Sequence, residues 1–356
     1  MLFTPFELFV IILSLALSIL IVKITIVVAH KRNWYDEIDA RKVHKGEIPR
    51  LGGFGLFASF AISFFTYEIY TGSIDVSVIP YFVGGMCIWF SGIIDDFRNL
   101  RARSKFIIQI FVIALSVIFS PYYLKDVFSF TLPPFLGKFL TFCWIILLVN
   151  AFNLIDGIDW LCSGISLFSF LTLALCVVKT NHSLCFFLCV LCASIIGFMC
   201  FNKPDAKIFL GDGGSQSLGY CIAVIPLFCD DLYFEYNKIL IMPLLASIPV
   251  TDVIAAILRR RREHRSIFST DRAHIHHKFI NIGFSKVFAL FYLLLLQFIV
   301  CMAIYLTQYM GTKHSTVLLF FTLLFVELFF ILIHYINRSV NLKMKGCLSE
   351  SPQEEH

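Results

Sequence analysis

Charge is scarce in this sequence. Asp, Glu, Lys and Arg make up 15% of its 356 residues, against about 25% in a soluble globular chain. The chain is 58% hydrophobic and carries 40 phenylalanines. A larger soluble core does not absorb that excess, since soluble chains are only about 45–50% apolar. Other things are missing as well. No basic segment precedes the first apolar run and no small-residue cleavage site follows it, which argues for an anchored helix over a removed signal peptide. No loop is long enough to fold as a soluble domain, and no internal repeat stands out. The glycine-rich stretch at Gly211 is not followed by Gly-Lys-Ser/Thr, so it is not a P-loop. The 12 cysteines fall almost entirely within apolar runs, Cys189 and Cys192 among them. Without polar access they read as small buried apolar residues before a redox or zinc pair. The net charge of +5 comes with no basic aromatic module, so nucleic acid is not an expected partner.

What is present is a series of apolar runs: Phe6–Val28, Leu51–Tyr70, Ile79–Ile94, Phe106–Ser120, Phe135–Val149, Leu161–Val178, Leu184–Phe201, Leu218–Phe228, Ile239–Leu258, Val287–Leu306 and Val317–Ile336. Most reach roughly 17–25 residues with their flanks, enough to cross a bilayer core. The eighth is the weakest, because glycine and polar residues open it. The expectation is an all-α polytopic membrane protein of about eleven transmembrane helices. It would form a single transmembrane domain, 1–340, with a polar tail, 341–356, whose composition favours disorder.

Basic residues set the orientation. The loops after odd-numbered runs, with the tail, hold 23 of the 29 Lys and Arg residues. The positive-inside rule makes that side cytoplasmic, with the N-terminus out and the C-terminus in. The protein is therefore expected in the cell's inner (plasma) membrane, surrounded by lipid bilayer.

Acidic residues near spans are costly and mark function by default. Here they gather at the cytoplasmic ends of separate runs. Asp95-Asp96 closes the third run; it is either a solvated helix end or a pair whose repulsion a divalent cation or nearby base relieves. Asn150-Ala-Phe-Asn153-Leu-Ile-Asp156-Gly-Ile-Asp159 follows the fifth run. If helical, Asn153, Asp156 and roughly Asp159 share a face, and Gly157 breaks the helix. Phe209-Leu-Gly-Asp212-Gly-Gly precedes the eighth run. Asp212 either caps that helix or coordinates a hard cation beside backbone N–H groups that hold an anion. Asp271-Arg272-Ala-His274-Ile-His276-His277-Lys278 lacks Cys or acidic spacing for zinc and suits phosphate better. Carboxylates, amides, open backbone and histidines together are the parts of a phosphoryl-transfer site.

In this order the motifs resemble the polyprenyl-phosphate N-acetylhexosaminyl-1-phosphate transferases. Asp-Asp, Asn-x-x-Asn-Leu-x-Asp-Gly-x-Asp, Phe-x-Gly-Asp-x-Gly, His-x-His-His and His44-Lys-x-x-Ile-Pro49-Arg-Leu-Gly-Gly53 all match, from about Arg41 to Lys278. His274-Ile-His276-His277 is similar to the bacterial undecaprenyl-phosphate GlcNAc-1-phosphate transferase branch (WecA/TagO-type). The resemblance implies transfer of N-acetylglucosamine 1-phosphate from UDP-GlcNAc to undecaprenyl phosphate, releasing UMP, with Mg²⁺ or Mn²⁺. By motif, Asp212 resembles the metal-binding aspartate and Asp95 and Asp96 the catalytic pair, Asp95 lying nearest the lipid phosphate and the metal. Asn153 and Asp156 look like catalytic-site residues, and Asp159 with Phe209 like the uracil contacts. Lys105 matches a lysine beside the site. The remaining substrate contacts it implies are His44, Asn150, Arg272, His274, His276 and His277.

The sequence departs from the pattern at Trp160, where glycine is usual, at Asp205 and at Ser217. These bear on the sugar, and another UDP-N-acetylhexosamine or a 6-deoxy sugar stays open. Direct attack by the lipid phosphate is the expected chemistry, with Asp95 as base or covalent nucleophile as the alternatives. A transporter would put its charges near the bilayer midplane, and an intramembrane aspartyl protease would need glycine where Phe209 stands. A homodimer through the spans is left open.

Overall fold

A computed structural model describes residues 2–35, 48–72, 75–229, 232–266 and 274–350. His44 and Arg272 lie outside the described residues. The helices are α1 (Pro5–Arg32), α2 (Gly52–Thr71), α3 (Ile79–Arg98), α4 (Ala102–Phe119), α5 (Pro134–Ile155), α6 (Leu161–Val177), α7 (His182–Met199) and α8 (Gly211–Val224). They continue as α9 (Leu232–Leu245), α10 (Ser247–Arg262), α11 (Ile275–Ile282), α12 (Lys286–Leu306) and α13 (Thr312–Glu350). The only strands among the described residues, Asp126–Val127 and Phe130–Thr131, pair in a small antiparallel hairpin between α4 and α5.

Every apolar run lies on helix. Eight helices are long and apolar enough to cross a bilayer among the described residues, and nine do if α9 and α10 count as one bent span. The bend is 65°, placed where Pro243 removes a backbone donor and Ala246 leaves helical geometry. The other two runs form α6, of 17 residues, and α8, of 14 residues.

The short, polar α8 is the axis of the fold. All its residues except Cys221 are buried, and it packs against α2, α3, α5 and α6. Its glycines and hydroxyls therefore face protein, and small residues let helix backbones approach closely where lipid offers no hydrophobic drive between helices. A Cβ on Gly53 of α2 would stand 2.2 Å from the backbone nitrogen of Gly214, and one on Gly92 of α3 would stand 2.5 Å from Cα of Gly213. The outer helices carry the exposed apolar side chains instead, among them Phe111, Phe119, Phe139, Phe291 and Leu328.

The connection between α3 and α4 is short. Arg98 is still helical and α4 resumes at Ala102, so only 99–101 intervene. At the far end α13 continues to Glu350, into the polar tail.

Candidate active site

Four helix ends meet at one pole of the bundle: the C-termini of α3 and α5 and the N-termini of α4 and α8. The segment Pro49–Gly53 seals them. Phe209 N donates to Pro49 O (2.8 Å), Gly52 N to Phe209 O (2.9 Å) and Gly53 N to Leu210 O (2.8 Å). Gly211 then turns the chain into α8 with φ +76, and a Cβ there would collide with Arg50 O at 2.0 Å. Only glycine fits both demands.

At the centre is the Lys105 ammonium. It donates to Asp95 Oδ2 (3.0 Å), to Asn153 Oδ1 (3.3 Å) and, in a close ion pair, to Asp212 Oδ2. Arg50 reaches Asp212 Oδ1 at 3.3 Å. Asp95 and Asp212 are each 9% exposed. Two carboxylates that would repel are thus bridged by one lysine from α4. Asp95 also accepts from Leu100 N (2.6 Å), which fixes the α3–α4 corner.

Asp96 plays a different part. Its Oδ1 accepts from Asp212 N (2.7 Å) and its Oδ2 from Gly213 N (3.0 Å). The N–H groups that open α8 are occupied, as helix starts favour, but by the protein's own Asp96 carboxyl. Asp212 does not cap α8; it sits inside the first turn with its side chain turned to Lys105 and Arg50.

Beneath this layer runs a buried amide chain. Gln216 donates to Asp212 Oδ2 (3.4 Å), Gln109 to Gln216 (2.9 Å), and Asn150 to Gln109 (3.0 Å). Asn150 therefore lies one layer below the carboxylates. Asn153 closes the site from α5, donating to Ser215 Oγ (3.1 Å).

The α5 helix ends at Ile155, since Asp156 adopts φ −72, ψ 54 and Gly157 N turns back to Ile155 O at 2.7 Å. Asp159 thus leaves the helical face that Asn153 occupies; its Oδ2 accepts from Ala206 N at 3.3 Å, tying the turn to the segment before Phe209. Burial pushes the Asp156 carboxyl up to about 7, helped by Asp212 and Asp159 and opposed by Arg50. Trp160 takes φ 67, the backbone reason glycine suits that position. It is pinned through N to Asn202 Oδ1 (3.0 Å) and through Nε1 to Met199 O (2.8 Å).

The histidine segment covers the same turn. The His276 ring fills the space where Gly157 lacks a side chain, with Nε2 2.4 Å from the position of a Cβ there. His276 is 2% exposed. Burial lowers its pKa to about 3, with His277 and His274 acting in the same direction and Asp252 against them. His274 Nδ1 meets Asp252 Oδ2 at 2.7 Å. His276 and His277 rings stand 4.3 Å apart.

The structure thus gathers Asp95, Asp96, Lys105, Asn153, Asp156 and Asp212 at one pole, with Asp159 and Phe209 on a joined segment and His274, His276 and His277 over the Asp156 turn. Three contributors carry no role in the sequence reading. Arg50 lies within the Pro49–Gly53 motif, but its partner Asp212 is 162 positions away; Gln216 stands one helical turn after Asp212 and meets Gln109 across the bundle. Asp252 had a usable signal, an acid inside the apolar run 239–258.

Among the described residues no three His, Cys, Asp or Glu side chains form a metal site by themselves. The donor set still suits a hard divalent cation. Two carboxylate oxygens and an amide oxygen converge on the Lys105 cation, and Mg²⁺ is commonly held by one or two carboxylates plus substrate phosphate oxygens.

Comparison with known proteins gives the family. The model of Glycosyl transferase family 4 matches residues 78–230, from the start of α3 to beyond α8. Over 327 residues, 89% of each chain, the sequence is 31% identical to the probable undecaprenyl-phosphate N-acetylglucosaminyl 1-phosphate transferase of Bacillus subtilis. It is 30% identical over 308 residues to the undecaprenyl-phosphate alpha-N-acetylglucosaminyl 1-phosphate transferase of Thermotoga maritima, covering 82% of this chain and 94% of that one. The protein of that name from Escherichia coli K12 is 29% identical over 270 residues, 73% and 72% of the two chains. The chain belongs to the polyprenyl-phosphate N-acetylhexosaminyl-1-phosphate transferase family. It is a multi-pass membrane protein.

Proposed function

We propose that the protein transfers N-acetylglucosamine 1-phosphate from UDP-GlcNAc to undecaprenyl phosphate, releasing UMP and forming the lipid-linked first intermediate of a cell-envelope glycan. The observation that carries this reading is the Lys105–Asp95–Asp212–Arg50 cluster at the end of membrane helices. It offers cations and cation-binding carboxylates where a lipid phosphate and a soluble diphosphate can meet. The reading also draws on the names of the relatives.

In this scheme an oxygen of the lipid phosphate attacks the β-phosphorus of UDP-GlcNAc. The bond from that phosphorus to the bridging oxygen breaks, and UMP departs with the electron pair. A phosphate monoester has a second pKa near about 6, so the nucleophile is already anionic at neutral pH. Charge neutralisation then matters more than a strong base. Lys105 and Arg50 supply fixed positive charge, Asn153 orients the cluster, and Asp96 holds the α8 start that carries Asp212. Asp95 and Asp212 would hold Mg²⁺, or Mn²⁺, which when bound neutralises phosphate charge. Asp159 and Phe209 would receive the uracil, and His274, His276 and His277 would cover the diphosphate.

The same reading takes all eleven apolar runs as membrane segments, with the N-terminus out, the C-terminus in and the site at the cytoplasmic face of the inner membrane. The supporting observation is that Arg50, Arg98, Arg101 and Lys105 stand at the helix ends that form the site. The test is UMP release by purified protein given undecaprenyl phosphate and a panel of UDP-sugars, with and without Mg²⁺. UDP-GlcNAc is expected to turn over fastest; preference for a different donor would overturn the sugar assignment. An aspartyl-phosphate trapped by single-turnover quench would overturn direct attack.

A further inference from the structure

We propose that Asp252, buried in the bent segment after α9, is a positioning residue that seats the histidine segment and fixes which ring nitrogen of His274 faces the sugar-nucleotide site. The proposal rests on the transferase reading above. Its geometry is bidentate. Oδ2 meets His274 Nδ1 at 2.7 Å, and Oδ1 accepts from Ile275 N at 2.8 Å. One carboxylate thereby holds a side chain and the first N–H of α11 together. Asp252 is 2% exposed and His274 6%, so water does not compete for either contact.

The platform beneath is anchored. Asp252 is the sixth residue of α10, past the 65° bend, and its neighbour Thr251 donates to Glu327 Oε1 on α13 at 2.9 Å. The ring above is also stacked: His274 lies nearly parallel to His276, 10° between planes and 6.0 Å between centroids. His276 in turn rests on Gly157, next to Asp156. The chain of contacts runs from α13 through Asp252 and the two histidines to the second acidic motif.

A carboxylate only accepts hydrogen bonds. The proton it draws from His274 must therefore sit on Nδ1, and Nε2 is the atom left to face substrate. Such an outer partner fixes the tautomer and ring orientation of a working histidine. Asp252→Asn separates the two duties. Ile275 N–H still needs an acceptor, so the amide oxygen stays on that side and the amide –NH₂ turns to His274 Nδ1. His274 must then carry its proton on Nε2, with α11 still anchored.

The experiment uses the full-length protein in detergent or nanodiscs, labelled with ¹⁵N-histidine. His274 is assigned by difference from His274→Gln. The wild type is expected to show Nδ1 protonated, and Asp252→Asn to move the proton to Nε2 with Tm within a few degrees. In steady state Asp252→Asn should raise KM for UDP-GlcNAc on the order of 10- to 100-fold, the scale of one hydrogen bond to a charged group, and leave KM for undecaprenyl phosphate unchanged. An unaltered His274 tautomer would overturn the proposal, as would equal effects on both substrates or no effect on either. If the wild type released no UMP at all, the transferase reading would fall, and the NMR result alone would still decide the role of Asp252.

Discussion

The backbone N–H of Asp212 donates to Oδ1 of Asp96 at 2.7 Å, so the first acidic motif holds the third by the start of its helix. The two residues are 116 positions apart. The contact leaves the Asp212 side chain to Lys105 and Arg50, and it divides labour between adjacent carboxylates: Asp95 faces the cation cluster, Asp96 the helix end.

Removing that cap should cost stability before chemistry is considered. Asp96→Ala loses both acceptors at the start of α8, worth about 1–2 kcal/mol for a helix cap. Thermal unfolding in detergent should show a Tm lower by a few degrees, while Asp96→Asn, which keeps one acceptor, should lose less.

Among the described residues, Lys105 alone bridges Asp95, Asn153 and Asp212. Lys105→Met removes the bridge at similar length and leaves two buried carboxylates opposed. The expected loss in kcat is on the order of 10²-fold or more, as for removal of a preorganised charge from a dry site. Lys105→Arg should recover little, because a planar fork does not replace a point charge among three oxygens. Steady-state UMP release measures both.

Glycine substitutions should divide by location. Gly53→Ala and Gly92→Ala force a methyl into the α8 backbone and should destabilise by about 1–3 kcal/mol, the range for overpacking. Gly72→Ala has nothing within 4 Å and meets only its φ of +66, so it should cost about 1 kcal/mol. Yield and Tm of the three variants compare these directly.

Much of this was legible in the residues, and the exceptions have physical reasons. Apolar runs marked every helix but the short α11 of the histidine segment, since backbone in lipid must satisfy its own hydrogen bonds. Their number did not settle the spans, because α8 is buried by protein and needs neither the length nor the apolarity of a lipid-facing helix. The motifs named the carboxylates, yet Asp95 and Asp96 read alike until the helix start of Gly211–Val224 separated them. Arg50 and Gln109 join the site through contacts across the bundle, which local spacing does not record. Asn153 and Asp159 looked like one face, but the turn at Asp156 parts them.

Asp156 predicts a pH dependence of stability. Its folded pKa, raised to about 7, means that the folded state binds its proton more tightly than the unfolded chain. The stability this contributes is complete below the unfolded carboxylate pKa of about 4 and is lost as pH rises through 7. Asp156→Asn cannot ionise, so its Tm should rise relative to wild type between pH 5 and 8. A constant difference across that range would contradict the assignment.

In the proposed reaction a sugar phosphate, not a bare sugar, moves to the lipid. UDP-GlcNAc labelled with ³²P at the β-phosphorus, incubated with undecaprenyl phosphate and the purified protein, tests it in one extraction. The label is expected to enter the lipid phase with the sugar as UMP appears in the aqueous phase. Label retained in the aqueous phase as UDP would contradict it.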